Sequence, residues 1–86
     1  MGWKYMFINK AKDGRCNLCG KNIAAIRISM GLSQRQLSNL LQLNGLDIDK
    51  NAIQRIEAGK RFVTDIELQC FSKALDKTLD ELLTDE

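Results

Sequence analysis

The side chains best equipped for recognition chemistry fall together in residues 50–61, Lys50-Asn51-Ala52-Ile53-Gln54-Arg55-Ile56-Glu57-Ala58-Gly59-Lys60-Arg61. Lys50, Asn51, Gln54 and Arg55 carry ammonium, amide and guanidinium groups, which offer donors to base edges and phosphates. Ile53 and Ile56 sit three apart and can share one buried stripe of a helix, leaving the four polar residues for the rest of the circumference. Gly59 suits the left-handed residue that ends a helix, and Lys60 and Arg61 follow at once. The spacing predicts a helix over about residues 50–58 with two apolar anchors behind and a polar, cationic face in front. A helix of that kind is what a DNA major groove admits.

Other chemistry has less to stand on. The chain has three cysteines and no histidine. Ser-His-Asp and Cys-His catalysis are therefore out of reach, as are zinc sites that mix cysteine with histidine. Cys16-Asn17-Leu18-Cys19-Gly20 is a CxxC, the spacing at which two thiolates clasp one tetrahedral metal. A closed site wants four ligands and only Cys70 remains, so a four-cysteine site requires two chains sharing the metal. The plainer reading is two small residues leading into a helix, and no metal or cofactor is expected. A redox CxxC belongs in a thioredoxin-like setting that the pattern lacks. Asp47 and Asp49 could be imagined as a catalytic carboxylate pair, but they lie in a connector and Asp49 is placed to cap the following helix. Nothing supplies a base, a nucleophile or a phosphate-binding glycine loop, so an enzyme is not expected.

The elements that must position residues 50–61 are legible as short helices. Ile23, Ile26 and Met30 mark a first helix over 21–30, closed by Gly31. Ser33 and Gln36 form a capping box that opens a second, whose buried stripe is Leu37, Leu40 and Leu41. Asn44-Gly45 ends it. Phe62 and Val63 read as apolar loop anchors. Thr64 with Glu67 opens a fourth helix with Leu68, Phe71, Ser72 and Leu75 on its stripe, and Cys70 just off it as a partly buried neutral thiol. Thr78 with Glu81 opens a short fifth carrying Leu79, Leu82 and Leu83. Before residue 20 the pattern changes. Trp3, Tyr5 and Phe7 alternate with Lys4, Met6 and Ile8, as in a short strand or extended arm, which can fold back on the domain or pair with another subunit. The division is thus an arm over 1–19 and one all-α, five-helix domain over 20–86.

Bulk properties set the class. Eighty-six residues with 44% hydrophobic and 28% charged side chains describe one small globular domain, and at this size a partner subunit is a common source of stability. No apolar run approaches a membrane span and no secretory signal is evident, which with only three cysteines points to a reducing cytoplasm. The net charge of +2 conceals an asymmetry: residues 1–61 hold 11 Lys/Arg against 4 Asp/Glu (+7), residues 62–86 hold 2 against 7 (−5). The basic part includes the proposed reading helix, as DNA binding requires, although charged solvated faces are also ordinary.

In order and spacing the chain resembles the Cro and phage-repressor type (Xre-like) of helix-turn-helix domain. The carrying residues are Ile23, Ile26 and Arg27, then Gly31-Leu32-Ser33-Gln34 with Gln36-Leu37 and Leu41. They continue through Ile53, Arg55-Ile56-Glu57 and Gly59-Lys60-Arg61 to Leu68, Ala74-Leu75 and Leu79-Asp80-Glu81-Leu82. The resemblance covers roughly residues 20–83. It implies that the third helix lies in the major groove and reads bases from its N-terminal portion. Lys50 and Asn51 match the first reading positions, Gln54 and Arg55 those one turn later. Arg55 would suit a guanine edge and Asn51 an adenine edge. Gln34 matches a phosphate and helix-support position, Lys60 and Arg61 match phosphate contacts, and Arg27 with Glu57 matches a structural ion pair between the first and third helices. The departure is the connection: Leu41 to Ile53 is longer than the family's compact turn. The extra residues lie in 42–47, as a further turn of the second helix or as a longer loop that Leu43, Leu46 and Ile48 would pack.

The resemblance implies a sequence-specific transcriptional regulator, a repressor in the first instance, binding double-stranded DNA as a homodimer. The alternative is a protein-interaction module that keeps the fold, such as an antitoxin or adaptor subunit, with the aromatic arm and acidic end facing a protein partner.

Overall fold

A computed structural model of the chain describes residues 10–84. Five helices follow one another: α1 (Gly20–Ser29), α2 (Gln34–Leu43), α3 (Lys50–Glu57), α4 (Asp65–Leu75) and α5 (Leu79–Leu83). Among the described residues there is no strand, and no helix is long and apolar enough to cross a membrane. Trp3, Tyr5 and Phe7, read from the sequence as an arm, lie outside the described residues.

Local chemistry fixes where the helices begin. The first backbone N–H groups of a helix have no partner within it. Here side chains supply one. Ser33 Oγ accepts from the Gln36 amide at 3.0 Å while Gln36 Oε1 accepts from the Ser33 amide at 2.8 Å. The same reciprocal box closes on Thr64–Glu67 and Thr78–Glu81. At α3, Asp49 Oδ1 accepts from the Ala52 amide at 2.8 Å. Its carboxylate also sits at the positive end of the helix dipole. Each such cap stabilises its helix by about 0.5–2 kcal/mol, which matters in helices of five to eleven residues.

The apolar stripes then meet in one core. Ile23 of α1, Leu37 and Leu41 of α2, Ile53 and Ile56 of α3, Phe71 and Leu75 of α4 and Leu82 of α5 are all buried. α3 packs on α1 and α2, α2 also on α4, and α5 closes against α1 and α4. Both isoleucines of α3 are fully enclosed, so the orientation of that helix about its axis is set by the core.

Several apolar residues expected inside are at the surface. Met30 is 46% exposed: α1 stops at Ser29 and Gly31, at φ 71, turns the chain before another turn can form. Phe62, expected as a loop anchor, is half exposed, and only Val63 of that pair packs against the core. On α5, Leu82 is enclosed whereas Leu79 and Leu83 face outward.

The lengthened connection between α2 and α3 is a loop of six residues, Asn44–Asp49, and not an extra helical turn. Gly45 at φ 88 turns the chain. Leu46 then donates its amide to the Leu41 carbonyl at 3.0 Å. Ile48 is buried, and its carbonyl accepts from the buried Ser38 hydroxyl at 2.7 Å. Leu43 takes no part in this packing: as the last residue of α2 it is 85% exposed. The insertion therefore docks on α2, so α3 approaches the core from a fixed starting point.

Candidate nucleic-acid interface

The predicted reading residues gather on one outward face. Lys50, Asn51, Gln54 and Arg55 are all exposed, while Ile53 and Ile56 behind them are buried. Positions 50, 51, 54 and 55 fall on one side of a helix because residues four apart stack along it. Among the described residues neither Lys50 nor Arg55 takes part in an ion pair. α3 ends at Glu57, one residue short of the expected 58, with Ala58 as its cap and Gly59 at φ 77, so the helix is about two turns long. Lys60 is exposed immediately beyond this end.

The other predicted positions are held by partners. Arg27 donates from Nε to Glu57 Oε2 at 2.7 Å and from Nη2 to Oε1 at 3.0 Å. Its Nη1 donates to the Leu32 carbonyl at 2.8 Å. The two side chains are 14% and 9% exposed, and the carboxylate raises the Arg27 pKa above its ordinary value. Gln34, in the first turn of α2, donates its amide to Glu57 Oε1 at 3.0 Å. One carboxylate thus ties α1, the α1–α2 turn and the start of α2 to the end of α3. Arg61 is engaged in a second fork, with Nη1 and Nη2 at 3.1 and 2.9 Å from the two Glu67 oxygens. Gln34 and Arg61 are consequently only partly accessible, unlike the α3 quartet and Lys60.

Two features have no counterpart in the sequence reading. Arg35 and Asn39, one turn apart on the exposed side of α2, line a notch of about 340 Å³ with Ser38, Asp49, Lys50 and Asn51. Their i, i+4 spacing off the Leu37/Leu41 stripe was the available signal. The second is residues 15–17, which contact the C-terminal end of α3. Cys16 and Cys19 are free thiols. Cys19 belongs to the core, and burial pushes its pKa up to about 11, keeping it neutral. Among the described residues no group of three or more His, Cys, Asp or Glu comes together as a metal cluster would need.

The Arg61–Glu67 fork makes stability depend on acid. The Arg61 hydrogen bonds hold the Glu67 carboxyl below its ordinary value of 4.5, with the Thr64 amide adding to the effect. A carboxyl whose folded pKa is depressed contributes stability that is complete above its unfolded pKa and is lost as pH falls through the folded one. Thermal melting from pH 6 to pH 3 should therefore drop more steeply for the wild type than for Glu67→Gln. Parallel curves would show that the fork contributes nothing.

Comparison with known proteins bears on the family and the fold. A family model described as helix-turn-helix matches residues 23–82. The crystal structure of the restriction-modification controller protein C.AhdI from Aeromonas hydrophila is similar to the chain, with a TM-score of 0.63 and 32% identity, covering 73% of this chain and 88% of that one. No curated protein matches in sequence. The matched region contains the paired helices, the exposed α3 quartet and the Arg27–Glu57 pair, and the chain belongs to the Cro- and phage-repressor-type helix-turn-helix family of DNA-binding domains.

Proposed function

We propose that this protein is a sequence-specific transcriptional regulator that lays the outward face of α3 in the major groove and acts as a repressor. The observation that carries the reading is the exposed quartet Lys50, Asn51, Gln54 and Arg55, backed by the buried Ile53 and Ile56. Core packing fixes which way the donors point, and pre-positioned donors lose little entropy on binding. Arg55 and Asn51 supply the two side-chain types that bond bidentately to guanine and adenine. Lys50 and Gln54 add donors beside them. Lys60 meets a phosphate past the helix end, and Arg35 and Asn39 meet the backbone on the α2 side. Gln34 and Arg61 have their donors taken by Glu57 and Glu67, so we assign them first to holding the helix ends against the duplex, with their remaining exposed edges near phosphate. This function requires no bond to be made or broken. That C.AhdI is a restriction-modification controller protein supports a regulatory role for this chain.

Reading two half-sites calls for a second copy of the chain. Among the exposed apolar side chains, Ile66, 69% exposed on α4, and Leu79 on α5 line one shallow depression that such a copy could cover. α5 packs on α1 and α4 whereas α3 packs on α1 and α2, so such contacts would leave the reading face open.

A reporter gene placed behind the DNA upstream of this protein's own gene tests the reading. Expression should fall when the wild type is supplied and recover with an Asn51→Ala/Arg55→Ala double variant that is present at equal level. Equal expression with and without the wild type would count against autoregulation by repression, and a rise would make the protein an activator.

A further inference from the structure

The end of α3 is held by a segment that lies before the matched family region. Residues 11–15 form a turn: the Ala11 amide donates to the Arg15 carbonyl and the Gly14 amide to the Ala11 carbonyl, both at 2.8 Å. Three consecutive residues then reach α3. Arg15 Nη2 donates to the Glu57 carbonyl at 2.7 Å. The Cys16 amide donates to the Gly59 carbonyl at 2.8 Å. Asn17 Nδ2 donates to the Ile56 carbonyl at 3.0 Å and to the Arg61 carbonyl at 2.7 Å. Asn17 Oδ1, on the same amide, accepts from the Gly20 amide at 2.7 Å and so starts α1.

The last carbonyls of a helix lack regular internal partners. This segment supplies a donor to the Glu57 carbonyl and a second one to the Ile56 carbonyl, which also accepts from the Gly59 amide at 3.0 Å. The Arg15 guanidinium also places a cation at the negative end of the α3 dipole. Two glycines permit the approach. A Cβ on Gly20 would collide with the Ile56 carbonyl, and one on Gly59 would stand 2.7 Å from Arg15 Cζ. Arg15 is packed closely enough that its Nε is enclosed with no partner among the described residues. A helix of eight residues is marginal by itself, and its last turn carries Arg55 and leads directly to Lys60.

We propose that residues 15–17 are a brace for the reading helix, with Arg15 and Asn17 as positioning residues that hold Arg55 and Lys60 in register with DNA. The proposal rests on the DNA-reading function proposed above. The brace touches no DNA itself. It acts by keeping the last turn of α3 closed, so that the entropy of ordering it is not paid on binding.

The test uses the full chain with three variants. Arg15→Ala removes the guanidinium, Arg15→Lys keeps a cationic donor, and Asn17→Asp keeps the acceptor for Gly20 while removing both donors to the α3 end. Circular dichroism first establishes that each variant is folded at the working temperature. Amide hydrogen exchange then compares Ala58, Gly59 and Lys60 with Phe71 and Leu75. The brace predicts that Arg15→Ala and Asn17→Asp speed exchange at 58–60 by about tenfold or more, with Phe71 and Leu75 little changed. It also predicts that the affinity ratio between upstream and shuffled duplex falls by about tenfold, and that Arg15→Lys restores most of it. Uniformly faster exchange would reduce the segment to a general contributor to stability and overturn the proposal. So would an unchanged affinity ratio in a wild type that does discriminate. A wild type that binds both duplexes alike would instead overturn the DNA reading and the positioning role that depends on it, while exchange would still report whether α3 is braced.

Discussion

Glu57→Ala is expected to lower the unfolding free energy by about 2–3 kcal/mol, a large share of what a domain of this size possesses. Three donors converge on this one carboxylate: Arg27 Nε, Arg27 Nη2 and Gln34 Nε2. Removing it leaves the Arg27 guanidinium, on a side chain only 14% exposed, with the Leu32 carbonyl alone as partner. The cost is mainly that of an unpaired, largely enclosed charge and not the intrinsic strength of the pair. The discriminating experiment is therefore a cycle. Arg27→Met with Glu57→Leu together should recover most of the stability lost by Arg27→Met alone or Glu57→Leu alone, measured by chemical denaturation. A Glu57→Ala loss under about 0.5 kcal/mol, the range of ordinary surface changes, would show that the bridge is immaterial to stability.

The second large effect separates reading from holding. Arg55 lies within α3 on the outward face, Lys60 just beyond its end. If Arg55 forks onto a guanine edge, Arg55→Ala should cost about 1–3 kcal/mol on the preferred site and relax the preference at one base pair. Lys60→Ala should weaken all duplexes by a similar factor, and reduce the slope of log affinity against log salt by about one. Neither substitution removes a buried group, so the melting temperature should stay nearly constant in both. Identical behaviour of the two variants across sequences would mean that Arg55 serves as a phosphate contact and that α3 is turned differently in the groove.

The parts of this molecule that were legible in the sequence are those governed by local chemistry. Capping boxes at Ser33, Thr64 and Thr78 marked helix starts because a hydroxyl and a carboxamide or carboxylate three residues apart satisfy each other's backbone groups. Ile53 and Ile56 fixed the buried side of α3, and so its outward quartet. What was not legible depends on the chain meeting itself. Met30 has the right spacing for a stripe, but it sits where its helix ends, and periodicity does not reveal that the next turn is missing. Leu43, read as packing the connection, is instead the last residue of α2 and lies two positions from Leu41, off the buried face. The insertion could have been helix or loop; Gly45 and the Ser38–Ile48 hydrogen bond decided for a loop, and that partner is ten residues away. Arg61 reads as a free cation beside Lys60 until Glu67, six residues on, takes both its terminal nitrogens. The contacts of Arg15 and Asn17 with α3 span about forty residues, beyond the reach of any local pattern.

The most direct test of the central claim is a titration of the wild type against the duplex upstream of its own gene and a shuffled duplex of equal length, over a series of salt concentrations. A base-reading α3 predicts a preference of about a thousandfold or more for one sequence at physiological salt, with non-specific binding falling steeply as salt rises. Equal, weak binding of both duplexes at every salt concentration would contradict it, and would leave the exposed quartet of α3 as a surface for something other than base pairs.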